Sequence, residues 1–424
     1  MTTETSSTAL DPRTGRRAWI MLVVLTMLTT AGMTVVLPIL PFVVLRYVDE
    51  PAHLGLWVGI LETVNALCAF AVAPFLGRLS DRFGRRPVIV VAAFGSVVGY
   101  LLFGIGGSIW MLLLGRIVQG LTAGDLPALF AYLADITPPE QRAKRFGMLG
   151  ALAGIGTMVG PALGGLLAAI DVDLPVFATA GFALIIALLS IFVLPESLDP
   201  AKRTAHLELR GLHPFGAFRD AFRRPELRGL LLGFVLVGIP FGFFVNNFSV
   251  LALDSIHWDA TAIGLLTASV GIVDIVIQGV LLGFLLPRLG ERGVILSGVV
   301  AQSIGLLALA IVASLLAQPW LLIVGTLALA AGQGAATATM EGVLSNSVAD
   351  HEQGWLAGTA QSLSSGIGII APLLAGLLYT TVAPSSPYLL GFALMLAAIV
   401  VIARARFPRP RTVEQVEAVP ATAQ

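Results

Sequence analysis

Residues 77–86, Gly77-Arg78-Leu79-Ser80-Asp81-Arg82-Phe83-Gly84-Arg85-Arg86, put five charges into ten positions between two runs that are almost wholly apolar. Elsewhere charge is scarce. Of 424 residues 57% are hydrophobic and 12% charged, and mean hydropathy is +0.91. Apolar runs fall at about 18–44, 54–76, 87–106, 108–134, 146–168, 173–194, 228–252, 260–286, 292–316, 319–346, 353–382 and 386–404. Most approach or exceed the ~20 residues that cross ~30 Å of hydrocarbon at 1.5 Å per residue. Lipid offers no partner for a free N–H or C=O, so a spanning chain is helical or a closed barrel, and these runs are too long for barrel strands. The expected fold is an all-α membrane protein of twelve transmembrane helices.

The cations give orientation. Segments 1–17, 77–86, 135–145, 195–228, 287–292 and 404–424 hold 23 of the 25 Lys and Arg residues, with Arg46 in an opposite loop and Arg116 inside a helix. Because Lys and Arg stay on the cytoplasmic side during insertion, both termini are expected in the cytoplasm and residues 77–86 form a turn between helices 2 and 3. The organisation follows as a tail (1–17), a six-helix half (18–194), a linker (195–227), a second half (228–404) and a tail (405–424). The first apolar run is too long for a signal-peptide core and lacks a small-residue cleavage site, so helix 1 is expected to be retained. Cys68 is the only cysteine and forms no internal disulfide. In the linker, Phe215, Phe218 and Phe222 at helical spacing, with Arg219, Arg223 and Arg224 between them, read either as an interfacial helix or as a solvated loop.

The halves resemble each other. Gly77–Ile89 aligns without gaps with Gly283–Ile295, and Gly160-Pro161-Ala162-Leu163-Gly164-Gly165 aligns with Ala371-Pro372-Leu373-Leu374-Ala375-Gly376. Duplicated halves are the mark of transporters that bind substrate between repeats near mid-membrane.

Several of these stretches resemble signatures of the major facilitator superfamily, and within it of the twelve-helix drug:proton antiporters. Residues 77–86 look like the loop 2–3 signature, Arg116–Gly120 the helix 4 signature, Ala131–Arg142 the helix 4 exit, and Gly156-x3-Gly160-Pro161-x2-Gly164-Gly165 the antiporter glycine motif of helix 5. The resemblance implies a conformational latch of Gly77, Asp81, Arg82, Gly84, Arg85, Arg86 and Asp135. Its core is Asp81, Arg85 and Asp135, and its partner is helix 11 near Gln353. A turn that only fixes topology is the plainer alternative. In the second copy Pro287 replaces the Asp and Glu291 the Arg, so any latch there is weaker. Gly156, Gly160 and Gly164 form a flat stripe on which another helix can pack, with or without a role in coupling.

Ionisable groups cost about 2.5–3.5 kcal/mol each at a bilayer centre by insertion scales, so Glu62, Arg116, Asp125, Asp274 and Glu341 should face a cavity or pair with one another. Arg116 and Asp125 are nine positions apart, on opposite sides of an unbroken helix 4. Gln333, Thr337 and Glu341 on helix 10, with Thr267, Gly271, Asp274 and Gln278 on helix 8, line a polar strip. A carboxylate in an apolar cavity holds a proton more tightly until a cation or water reaches it, the minimum equipment for exchanging a proton for a cationic substrate. Glu341 and Asp125, about ten residues above the helix exits, are the first candidates for coupling; each could instead be a buried structural group. Asn246, Asn247 and the rings of Phe241, Phe243, Phe244 and Phe248 suit an amphipathic aromatic ligand, or else face lipid.

No metal cluster, zincin motif, nucleophile elbow or Walker loop is present, so neither enzyme chemistry, a cofactor nor ATP hydrolysis is expected. The basic residues follow membrane topology and do not gather for nucleic acid. The expected function is proton-coupled efflux of small amphipathic or cationic compounds by alternating access in the cell membrane, with protons, substrate and lipids as partners and a monomer as the working unit. Uptake of a metabolite such as a sugar is the rival within transport, and a sensor or lipid-handling protein the rival outside it.

Overall fold

The computed structural model describes residues 12–203, 221–349, 352–405 and 407. Every regular element among them is helical: α1 (Pro12–Val35), α2 (Leu54–Phe83), α3 (Arg85–Ile105), α4 in two pieces (Ile109–Leu121 and Asp125–Ile136), α5 (Pro139–Ala168) and α6 (Leu174–Phe192). The second half holds α7 (Pro225–Ile256), α8 from Ala260, α9 ending at Ser314, α10 (Pro319–Asn346), α11 (Gln353–Thr381) and α12 (Ser386–Arg404). Eleven stretches of the described residues are long and apolar enough to cross a membrane, and Ala260–Ser314, at 55 residues, is two crossings. Its hydrogen-bonded run breaks at Gly290, whose φ of 67° and ψ of 168° are not helical. Beyond the break the chain returns, because Gly298 packs on Gly332 and Gly305 on Gly325 of α10. The twelve-helix reading therefore holds.

Local chemistry sets the ends. Ser108 caps α4 by accepting from the Met111 N–H, and Asp259 caps α8 by accepting from that of Ala262. Pro225 and Pro319 begin α7 and α10, where a missing N–H costs nothing. Two expected helices are interrupted. The run 18–44 leaves the helix after Val35 and resumes as a short turn of helix, Leu40–Leu45, because Pro38 and Pro41 cannot donate. α4 breaks at 122–124, where Pro127 leaves the Ala123 carbonyl without its helical donor. Phe215 and Phe218 of the expected linker helix lie outside the described residues; Phe222 is half-buried against the second half's core.

Leu22, Ile89, Leu129 and Leu133 anchor a core within the first half, while Leu230, Val299, Leu309 and Met340 belong to a larger core that also takes in Val36, Val58 and Phe103 of the first half. The halves meet through α2 on α11 and α5 on α8, at one end only. There Gly59 lies on the Pro372 carbonyl, Gly376 on that of Gly55, and Gly264 against Gly165. Thr63 Oγ1 donates to the Ile369 carbonyl at 3.1 Å, Thr261 Oγ1 to that of Gly165 at 2.9 Å, and the Leu56 N–H to Thr380 Oγ1 at 3.2 Å. At the other end, where residues 77–86 turn, Gly77, Gly147, Gly150, Gly154, Gly354 and Gly358 have open space where a Cβ would stand. The bundle is closed at the far end and open at the 77–86 end.

Candidate functional site: two intramembrane cavities and a charged turn

The turn is built around Gly84, whose φ of 109° is a conformation L side chains rarely adopt. It sends the chain straight from α2 into α3, whose first N–H groups are unsatisfied by the helix itself. Glu196, just past α6, supplies the missing acceptors: its Oε1 takes the Arg85 N–H at 2.8 Å and its Oε2 that of Arg86 at 3.2 Å. Arg85 Nη1 meets Asp81 Oδ1 and its Nε meets Asp135 Oδ2 at 3.0 Å, where Ser197 Oγ also donates at 2.9 Å. Arg86 donates to the Ser190 and Ile191 carbonyls at the end of α6. Thus Asp81, Gly84, Arg85, Arg86 and Asp135 are brought together. Arg82 is not, since its guanidinium lies over the Phe83 ring at 5.3 Å. In this conformation Gly77 meets no neighbouring helix and no contact joins Asp81 to α11 among the described residues; the latch is expected to close only with the end it sits on, so the open conformation does not test its contact with α11. The open end holds α11 away, and Asp81 keeps a side chain 48% exposed. Glu196 carried no sign of its role, because the groups it caps are 110 and 111 positions away.

In the first half a cavity of about 260 Å³ is lined by Thr29, Glu62, Asn65, Tyr100, Arg116, Gln119 and Asp125, among others. Arg116 Nη2 pairs with Glu62 Oε1 at 2.7 Å, Nη1 donates to Gln119 Oε1 at 3.2 Å, and the guanidinium stands over Phe103 at 5.0 Å. Asp125 was placed on the far side of α4 from Arg116, but the break at 122–124 turns it onto the same cavity. A straight helix was the wrong premise. Among the described residues Asp125 makes no ion pair; its Oδ1 accepts from the Leu126 N–H at 2.9 Å.

The larger cavity, about 540 Å³, lies where the halves face each other, between α1, α5, α7, α8 and α10. Thr267, Gly271, Asp274 and Gln278 line it from α8 and Gln333, Thr337 and Glu341 from α10, with Phe241, Phe244 and Phe248 opposite. Gln278 sits in a π turn, Ile277–Leu281, the wide kind of helical turn that is frequent at functional sites. Among the described residues no Lys, Arg or His lines this cavity, and Asp274 and Glu341 have neither an ion-pair nor a hydrogen-bond partner. Two expected lining residues fall elsewhere. Asn247 is fully buried and donates from Nδ2 to the Ala375 carbonyl on α11 at 3.1 Å, and Asn246 bonds its own helix at Gly242. Phe243 likewise packs on Ala371 and Ala375. A helix in contact with both a cavity and a neighbour has polar groups on each side, and spacing alone does not choose between them.

The glycine motif joins the site to its frame. Gly156 and Gly160 lie against Thr30 and Thr34 of α1, and Gly164 against the Val35 carbonyl. Gly165 instead lies on α8 at Ala260 and Gly264, while Pro161 lines the large cavity. One helix therefore touches both halves through residues with no bulk.

Two six-helix halves around a polar cavity open at one end define the architecture of a secondary transporter. The chain belongs to the Major Facilitator Superfamily, whose profile matches residues 22–253 and 230–423. It is 33% identical over 389 residues to the class C tetracycline resistance protein of Escherichia coli, covering 90% of this chain and 95% of that one. To multidrug resistance protein 2 of Bacillus subtilis (strain 168) it is 28% identical over 353 residues, 82% of this chain and 85% of the other. Among solved structures it matches the nucleoside transporter NupG with a TM-score of 0.72 at 13% identity, over 91% of this chain and 99% of that one. A bacterial homologue of the human lysosomal transporter Spinster, in an inward-facing, unoccupied conformation, matches with a TM-score of 0.67 at 17% identity, over 93% and 95%. Family and structural neighbours are transporters, and with its bacterial relatives the chain is a multi-pass integral protein of the bacterial plasma membrane.

Proposed function

We propose that this protein exports small amphipathic, cationic compounds in exchange for protons, by alternating access. The observation that carries the reading is the large cavity: two carboxylates without a cation of their own, facing three aromatic rings. A carboxylate in a largely apolar cavity holds a proton more tightly until a cation reaches it, so a cationic substrate and a proton compete for the same oxygens. The rings hold the apolar body of the substrate and add cation–π attraction. The names of the relatives, tetracycline resistance and multidrug resistance proteins, agree with such a cargo.

In this reading Glu341 and Asp125 are the coupling groups, with Asp274 as a hydrogen-bonding neighbour of the substrate. Arg116 fixes the Glu62 carboxylate and sets the field at Asp125. The cations at the open end support a cytoplasmic position for it and for both termini. The conformation described here is then the one that loads cargo and releases the proton.

The test is transport into energised inverted vesicles, with tetracycline and ethidium as probes and a proton-collapsing agent as control. Wild-type protein should accumulate probe only while the gradient lasts. Glu341→Gln or Asp125→Asn should abolish uphill transport and spare downhill exchange. Full gradient-driven transport by both variants, singly and combined, would sink the assignment.

A further inference from the structure

Beside the main cavity, between α7, α10 and α11, lies a second chamber of about 330 Å³. Among the described residues Glu341 alone lines both. Toward the open end α10 and α11 are clasped: Ser345 Oγ donates to Gln353 Oε1 at 2.9 Å, and Gln353 Nε2 to the Ser345 carbonyl at 2.8 Å. Farther along α11, Gln361 and Ser364 add polar groups to the wall.

Exchange sets a problem for the main cavity. Cargo bound on the Phe rings displaces the water there, at the step when the coupling proton must depart. A proton cannot leave through an apolar plug. The chamber shares that carboxylate with the main cavity, and at ~30 Å³ per water it has room for about ten molecules. Its hydroxyl and amide groups can hold them in a chain.

We propose that the chamber is the proton's own passage between Glu341 and the open face, separate from the mouth used by cargo. The proposal rests on the reading of Glu341 as a coupling carboxylate. As cargo binds, the O–H bond of the Glu341 carboxyl breaks, its electron pair stays on the carboxylate oxygen, and the proton passes to chamber water and out past Gln353. The other titratable group facing Glu341 is Asp274, across the main cavity on α8. Among the described residues neither cavity is lined by Lys, Arg or His, and at the head of α11 Glu352 is paired with Arg224 at 2.7 Å.

The test uses full-length protein in proteoliposomes, with ethidium as probe. Gln361→Leu combined with Ser364→Val makes the wall apolar, and Ala360→Leu, made separately, narrows the chamber without removing a polar group. Gradient-driven transport and probe-induced proton release, followed with a pH dye, should fall about tenfold in both variants, while gradient-free probe exchange stays within about twofold. Should the double variant not fold, Ala360→Leu supplies the reading. Unchanged proton release in the chamber variants, with Glu341→Gln inactive in gradient-driven transport, overturns the passage and leaves the coupling reading standing. Gradient-driven transport by Glu341→Gln overturns the coupling reading itself. Equal loss of exchange and gradient-driven transport in the chamber variants makes the chamber part of the cargo path, which also overturns the proposal.

Discussion

In the first half α3 meets α4 where Gly99 lies on the Gly115 carbonyl, and in the second α9 meets α10 where Gly305 lies on that of Gly325. The packing is the same and the next residue is not: Arg116 follows Gly115, whereas Thr326 follows Gly325. Arg116 is paired with Glu62, while Thr326 is fully buried with its hydroxyl unpartnered. The carboxylates of the second half, Asp274 and Glu341, thus face a cavity that no guanidinium shares. The first half fixes one of its two cavity carboxylates, Glu62, beside a cation; the second pairs neither of its own, leaving both to be answered by a proton or a substrate. Duplication supplied two equal frames, and the buried cation in one of them divides the work.

The sharpest way to break this contrast is to remove the cation. In Arg116→Ala the Glu62 carboxylate is left buried and alone, a change that costs about 3–5 kcal/mol where a buried pair loses one partner. Thermal unfolding in detergent should fall markedly, and transport with it. Glu62→Gln added to Arg116→Ala should recover much of the stability but not the transport, and Lys at 116 should rescue only in part because it lacks the planar fork. A stable, fully active Arg116→Ala protein would show that the two halves do not differ in the way argued.

The frame is tested next. A Cβ at Gly160 would meet Thr34 Oγ1 and the Ala31 carbonyl of α1. Gly160→Ala should therefore cost about 1–3 kcal/mol through overpacking, with part of the loss returned by Thr34→Ala. In the second half the corresponding helix carries Ala371, already seated against Phe243. Ala371→Gly should leave transport nearly intact. If both substitutions act alike, the stripe is packing without a special role.

Much of this was legible in the chain and some of it was not, for physical reasons. Apolar run length sets the helices, and the gapless match of 77–89 with 283–295 puts Gly84 and Gly290 in register, the two turn glycines that both take positive φ. The cost of burying charge singles out Glu62, Arg116, Asp125, Asp274 and Glu341. Helical phase did not reveal that α4 is broken, so Asp125 was assigned to the wrong face. Nor did it reveal that Glu62 and Arg116, 54 positions apart, face each other, or that Asn247 looks toward α11. Those are facts of how helices are rotated against neighbours, and apolar composition around the whole helix hides the rotation.

Asn247 gives a smaller test of that distinction. Asn247→Ala removes a buried hydrogen bond and should cost about 0.5–1.5 kcal/mol while leaving the choice of probes unchanged. Phe244→Ala, on the cavity side, should instead change the ratio of ethidium to tetracycline transport at little loss of half-to-half packing. A shifted probe ratio in Asn247→Ala would mean that the cavity extends to α11.

The weakest effect belongs to the turn. Asp81 pairs with Arg85 but is 48% exposed, and such pairs contribute about 0.2–1 kcal/mol. Asp81→Asn should therefore leave folding and probe affinity almost unchanged. Its effect should appear in turnover, lowered about two- to fivefold, because a charge that gains a helix 11 partner only when the open end closes biases one conformation over the other. Asp135→Asn should do more, since Asp135 already holds Arg85 and Ser197 in the open state. The equivalent turn in the second half has Pro287 and Glu291 in place of Asp81 and Arg85, and Gly290 in open space. Substituting Pro287→Asp together with Glu291→Arg builds a second copy of the pair at the matching position. If the pair acts by favouring closure of the end it sits on, the grafted copy should partly restore turnover to Asp81→Asn without changing probe affinity. A graft that restores nothing would mean that the first turn works through the Glu196 carboxylate that caps Arg85 and Arg86, which has no counterpart among the described residues of the second turn, where Arg292 is tied only to the Ala405 carbonyl and the Phe407 ring.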